Sequence, residues 1–173
     1  MDRSVQPHRL VPPTSDSSEL DRVELFAVAE GLALSARWWP GMDRPTRRIW
    51  KLMVASESFE AWVIAWPPGG AITLHDHGHS VGAVVVASGE LEETAVAEGA
   101  DGGLGIATTV LPPGAAITFG ATHIHDVVNQ GIVPAISVHV YSPRLTAMTY
   151  YEITDGRLEP GQTIRYRLGE AIL

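Results

Sequence analysis

His75-Asp76-His77 is answered later in the chain by the run His123-Ile124-His125-Asp126-Val127-Val128-Asn129. An extended strand turns residues i and i+2 to one face, so His75 and His77 can present two imidazoles side by side. A third imidazole from a neighbouring strand completes one side of a metal ion and leaves the other side open. Three neutral histidines with open positions make a catalytic arrangement, whereas structural metal sites are usually closed. His125 is the expected third ligand, with His75 and His77. His123 competes with it, because it shares a strand face with His125. Histidine ligands alone do not select the metal, since the affinity order favours later ions and supply decides.

The frame that must hold these residues is short. At 173 residues the chain fits one domain large enough to bury a core. Its apolar fraction of 45% and mean hydropathy of +0.08 fit a globular protein. There is no cysteine, which excludes disulfides, thiolate ligands and a cysteine nucleophile. No run reaches the roughly 18 apolar residues of a membrane span and no leader is evident, so a cytoplasmic location is expected. A net charge of −8 argues against nucleic acid. The one basic cluster, Arg44 to Lys51, is short and interrupted by Pro45, Ile49 and Trp50.

Residues 1 to about 16 read as a flexible lead-in. Ser18-Glu19-Leu20-Asp21 suggests a capping box, and Leu20, Val23, Phe26 (or Ala27), Glu30 and Leu34 follow helical spacing. These predict an amphipathic helix over roughly 19–37. Beyond Trp38-Trp39-Pro40-Gly41 come short apolar runs: Phe59 to Trp66, Ala83 to Ala87, Gly105 to Leu111, Ala115 to Phe119, Ile136 to Tyr141 and Met148 to Ile153. Glu90 to Thr94 alternates like a half-solvated strand, and Gly99 to Gly103 reads as a hairpin loop. Pro67-Pro68-Gly69-Gly70, Pro112-Pro113-Gly114 and Asp155-Gly156 punctuate the rest. The pattern predicts a mainly β fold, a small antiparallel β-barrel with an N-terminal helical extension. Residues 1–40 form the lead-in and helix and 41–173 the barrel, as a single domain.

The spacing Gly69-x5-His75-x-His77-x11-Gly89 resembles the first cupin motif, and His125-x3-Asn129 resembles the end of the second. The place four before Asn129 favours His125 over His123. Many cupins carry a glutamate ligand where this chain has Gly82, so the site would be all-histidine. Gly89-x-Leu91-x-Glu93-Thr94 and Ser137-Val138-His139-Val140-Tyr141-Ser142-Pro143 narrow the resemblance to cysteine dioxygenases, cupins of jelly-roll form with a three-histidine iron site. Ser137, His139 and Tyr141 alternate and share a face. The residues alone leave open whether that face is the interior or a solvated stripe with Val138 and Val140 packed inward. The resemblance implies the interior and a Ser–His–Tyr relay, with Tyr141 beside the iron and His139 and Ser137 orienting it.

It further implies that an arginine upstream of the paired histidines binds substrate carboxylate, a task that suits a planar guanidinium. Within Thr46-Arg47-Arg48-Ile49, Arg47 aligns better than Arg48. The chain departs from the family in two places. Pro45 stands where a tyrosine is common two residues before that arginine. Gly82 stands where some members have a cysteine joined to the tyrosine, so Tyr141 acts as a free phenol. The implied function is a non-haem Fe(II) thiol dioxygenase converting L-cysteine and O2 to cysteine sulfinic acid. The expected partners are that thiol and O2, with no nucleic acid and no membrane, and the chain is expected to act as a monomer. The alternatives are a dioxygenase for another small thiol such as 3-mercaptopropionate, a cupin isomerase or a different oxygenase using another metal, or a non-catalytic metal-binding cupin.

Overall fold

The computed structural model describes residues 19–36, 39–99 and 103–167. One helix, α1 (Arg22–Ala36), precedes eleven strands among these residues. They are β1 (Ile49–Ala55), β2 (Glu60–Trp66), β3 (Ala71–His75), β4 (Val81–Ser88), β5 (Leu91–Glu98), β6 (Leu104–Leu111), β7 (Ala116–Phe119), β8 (Ile124–Val128), β9 (Ala135–Ser142), β10 (Ala147–Thr154) and β11 (Arg157–Arg165). A five-stranded sheet runs β1-β2-β9-β4-β7 and a six-stranded sheet β11-β10-β3-β8-β5-β6. The strand pairs are antiparallel. No ladder among the described residues joins the two sheets, so they face each other as layers and do not close into a barrel.

All eight residues of β9 are buried, because both faces of its sheet are covered. One face carries Ala61, Val63 and Ala65 of β2, Ala83 and Val85 of β4, and Ile136, Val138 and Val140 of β9, packed under α1. The helix meets it through Leu25, Ala29, Ala33 and Ala36, whose mostly small side chains let it lie close to the sheet. That is a different face from the one expected: Val23 and Leu34 are 75% and 77% exposed. The cap also sits three residues later than expected. Asp21 Oδ1 accepts hydrogen bonds from the Val23 and Glu24 amides, and Glu24 Oε2 accepts one from the Asp21 amide. This is the reciprocal box, with aspartate in place of serine. Ser18, residues 1–18 generally, the helix end at residue 37 and Asp101 lie outside the described residues.

The other face of the five-stranded sheet looks toward the six-stranded one, and the site lies between them, with the relay on β9 and His75 and His125 on β3 and β8. Strands β1, β3 and β11 lie in segments where charge, threonine or proline hides the alternation. At Gly89 the backbone has φ +69°, and an added Cβ would stand 2.6 Å from both Ala135 Cα and Pro134 O. Only glycine fits that turn from β4 to β5.

Candidate metal centre and active site

β3 ends at His75, so the paired histidines do not share one strand; Asp76 and His77 belong to the turn that follows. Asp76 makes that turn rigid. Its Oδ1 accepts hydrogen bonds from the Gly78 and Thr149 amides, each 3.0 Å, and its Oδ2 accepts one from the Tyr151 hydroxyl at 2.8 Å. Burial and the Asp76 carboxylate together push the Tyr151 phenol up to about 12. Held this way, the His77 ring meets His75 at 4.8 Å and His125 at 5.0 Å between centroids, edge-on to both. His125 comes from β8, opposite His75 in the β3–β8 ladder.

The protons are placed by the partners. His75 Nδ1 donates to Thr73 O at 2.8 Å, and His125 Nδ1 donates to Glu93 Oε1 at 2.7 Å. Each bond leaves the Nε2 lone pair for the interior. His125 Nε2 lies 3.4 Å from His77 Nε2, and one ring nitrogen from each of the three histidines lies within 4.8 Å of the others. Burial, and then the neighbouring rings, hold His75 and His77 well below the ordinary imidazole range. Burial likewise lowers His125. Three neutral, buried imidazoles with lone pairs converging, and His77 Nδ1 buried without a partner, form a donor set that fits a metal ion.

Glu93, on β5, enters the sequence reading only as part of a motif. Burial alone would raise its carboxyl, but hydrogen bonds from His123 and His125 outweigh that and bring it to about 2. His123 Nε2 donates to the same Oε1 at 2.8 Å from the outer side. Glu93, His123 and His125 thus form a second cluster that shares His125. His123 does not join His75 and His77; it braces the carboxylate behind His125. The signal in the sequence is an acidic residue in phase with Leu91, which is buried.

His139 and Tyr141 line the cavity between the sheets and Ser137 reaches it only through His139, while Val138 and Val140 lie under α1. Ser137 Oγ and His139 Nε2 are 2.8 Å apart, and His139 Nδ1 and Tyr141 Oη 3.3 Å. Burial pushes the His139 imidazole down to about 3 and raises the Tyr141 phenol. Both groups are therefore neutral. The Trp66 indole N–H donates to Ser137 Oγ at 2.8 Å.

The structure separates the two neighbouring arginines. Arg47 is exposed and does not line the cavity, whereas Arg48 does. Adjacent residues of an extended chain point to opposite sides, so only one of the two can face inward. The phase is legible at Lys51, which must face solvent and shares parity with Arg47; Arg48 shares parity with Trp50 and Leu52. The Arg48 guanidinium lies 5.3 Å from the Trp50 ring centroid and 5.5 Å from that of Trp66, and its Nη1 donates to Ala71 O at 3.2 Å. Burial lowers its pKa. The remaining lining is apolar, including Trp62, Ile64, Ile72, Val127 and Met148, with no carboxylate among the described residues.

Gly82 leaves room for a ring. A Cβ there would stand 2.4 Å from Phe119 Cζ. Phe119 in turn stacks on His77 at 4.6 Å and on His123 at 5.0 Å. Asn129, the last residue of the second motif, is structural: its Nδ2 donates to Trp66 O and Val133 O, and its Oδ1 accepts from the Gly131 amide. His79 is exposed, and His8 lies outside the described residues.

A family model described as cysteine dioxygenase type I matches residues 17–154. Among solved structures, a recombinant oxalate oxidase in complex with glycolate is 18% identical, with TM-score 0.53 over 64% of this chain and 58% of that one. Likeness at that level shows the cupin fold alone. The TT1209 protein of Thermus thermophilus is 26% identical over 59% of this chain and 89% of that one, with TM-score 0.49. A conserved Klebsiella pneumoniae protein with a double-stranded β-helix domain is 22% identical over 70% and 91%, with TM-score 0.48.

Proposed function

The chain belongs to the type I cysteine dioxygenase family, a cupin family, and on that premise we propose that it is a non-haem Fe(II) enzyme oxidising L-cysteine with O2 to cysteine sulfinic acid. The observation that carries the reading is a cluster of three converging neutral imidazoles, two of which, His75 and His125, line one cavity with a buried phenol and a lone guanidinium. The reaction balances without a further reductant: both atoms of one O2 end on one sulfur, which supplies all four electrons. His75, His77 and His125 would hold the iron, whose bound form supplies affinity for a thiolate and electron exchange with O2.

The remaining work falls to the chain's own groups. Arg48 takes the role expected of Arg47 and pairs with the substrate carboxylate through its planar fork. Trp50 and Trp66 fix the plane of that fork, so the carboxylate sets where the sulfur lies. Trp62, Ile64, Ile72 and Met148 keep bulk water from the reacting sulfur. Tyr141 offers the hydrogen bond that steadies substrate as it is oxidised, with His139 and Ser137 behind it. One observation favours a second substrate, 3-mercaptopropionate: the described lining holds a cation for the carboxylate and no carboxylate for an ammonium group.

The test is oxygen uptake by iron-loaded protein with L-cysteine, 3-mercaptopropionate and cysteamine in parallel, with the sulfinate product identified by mass. Coupled uptake with cysteine supports the main reading, and uptake with 3-mercaptopropionate alone moves the substrate. Failure of every thiol, with iron bound, leaves a binding cupin or a different oxygenase.

A further inference from the structure

The Ser–His–Tyr chain can carry its hydrogens in either of two directions, and only one leaves the phenol hydrogen available to substrate. Trp66 decides between them. An indole N–H can only donate, so its 2.8 Å contact makes Ser137 Oγ an acceptor there. Ser137 is fully buried, and His139 Nε2, 2.8 Å away, is the acceptor within reach of its own hydroxyl hydrogen. With that hydrogen directed at Nε2, the neutral His139 ring must carry its proton on Nδ1. Nδ1 then donates to Tyr141 Oη at 3.3 Å. The phenol oxygen accepts from the protein, and its hydrogen turns to the cavity. In the reverse order, His139 Nε2–H would donate to Ser137, leaving a buried hydroxyl hydrogen without an acceptor. The phenol would then donate to Nδ1 and not to substrate.

We infer that Trp66 is a positioning residue that sets the direction of the relay, through Ser137 and His139, so that Tyr141 donates its hydrogen bond into the cavity. The role of Tyr141 toward substrate rests on the function proposed above; the direction of the chain rests on the hydrogen bonds alone. The same indole lies 5.5 Å from the Arg48 guanidinium and its ring centroid 6.2 Å from that of His139. One side chain therefore lies beside both the group that would hold the carboxylate and the group that orients the phenol.

The experiment reads the His139 tautomer directly, by long-range proton–nitrogen correlation on the ¹⁵N-labelled full chain with diamagnetic Zn(II) in the histidine site. In the parent protein His139 is expected as a single neutral tautomer, protonated at Nδ1 and unprotonated at Nε2. Trp66→Phe keeps an aromatic ring but removes the N–H, and the spectrum should change to mixed tautomers or to Nε2–H. Ser137→Ala removes the middle link and should release the tautomer in the same way, which covers a failure of the tryptophan variant to fold. Iron-loaded Trp66→Phe should lose kcat more than it raises KM. Nε2 protonation in the parent protein would overturn the inference, as would a pure Nδ1–H tautomer retained in either variant. None of these spectra depends on which thiol is turned over, so failure here is separable from failure of the proposed activity.

Discussion

Replacing Arg48 with alanine should damage thiol turnover far more than replacing Arg47, although the two are neighbours. Arg48 lines the cavity with its guanidinium held between Trp50 and Trp66, and no acidic residue among those described lines that cavity with it. A substrate carboxylate would take two charge-assisted hydrogen bonds from the fork, each worth about 1.5 kcal/mol at the low end for a charged group. Their sum, about 3 kcal/mol, corresponds to a loss of roughly 150-fold in kcat/KM. The carboxylate is not part of the reacting centre, so the contact is equally strong before and during reaction and the loss should fall mainly on KM. Arg47 is exposed, and its alanine variant should stay within about twofold, the usual range for surface substitutions. Arg48→Lys should recover only part of the loss, because an ammonium group cannot fork. Initial rates of oxygen uptake across a substrate series, with iron content measured in each variant, decide the matter. A larger loss in Arg47→Ala, or an unchanged KM in Arg48→Ala, would refute the parity argument from Lys51, Trp50 and Leu52.

Glu93→Gln keeps an acceptor for His125 but removes the charge behind it, and metal affinity should fall about 10- to 100-fold in a chelator competition; unaltered affinity would detach Glu93 from the metal centre. Gly82→Ala forces Phe119 off its position against His77 and should cost about 1–3 kcal/mol of stability, read from denaturant midpoints, with weaker metal retention; a neutral effect would contradict the tight contact. His139 is buried neutral with its folded pKa near 3, so the unfolded chain binds the extra proton. Stability therefore falls as pH drops from about 6.5 toward 3, by up to about 1.4 kcal/mol per pH unit from this residue. His139→Phe lacks that slope, and the stability gap between it and the parent should narrow in acid; a gap independent of pH would contradict a neutral buried imidazole.

The histidines, the relay and most strands are legible in the sequence because their signals are local. A spaced pair of histidines inside a glycine framework and an alternating Ser-His-Tyr stripe need no knowledge of what packs on them. The direction of the stripe is not decidable from β9 alone, since positions 136, 138 and 140 are apolar, 137, 139 and 141 are polar, and both faces are covered. The helix face differs from the expected one because large apolar residues outweigh alanine in a periodicity argument; contact with a flat sheet favours small side chains, and Val23 and Leu34 stay in water. Alignment prefers Arg47, while strand parity, carried by Lys51, points to Arg48. Glu93 shows in the sequence only through its phase with Leu91, and Trp66 not at all as a site residue, because their importance lies in partners 32 and 71 positions away.

The groups of this site do not share one mechanical footing. Arg48 immediately precedes β1, an edge strand with a single neighbour among the described strands, while the relay sits on β9, between β2 and β4. His75 and His125 sit on β3 and β8, each with a neighbour on both sides. An edge strand can peel away at a fraction of the free energy needed to open the centre of a sheet. With Arg48 in the role proposed for it, recognition and chemistry should therefore have different thermal thresholds: on warming, KM should climb while the histidines and the phenol are still in place.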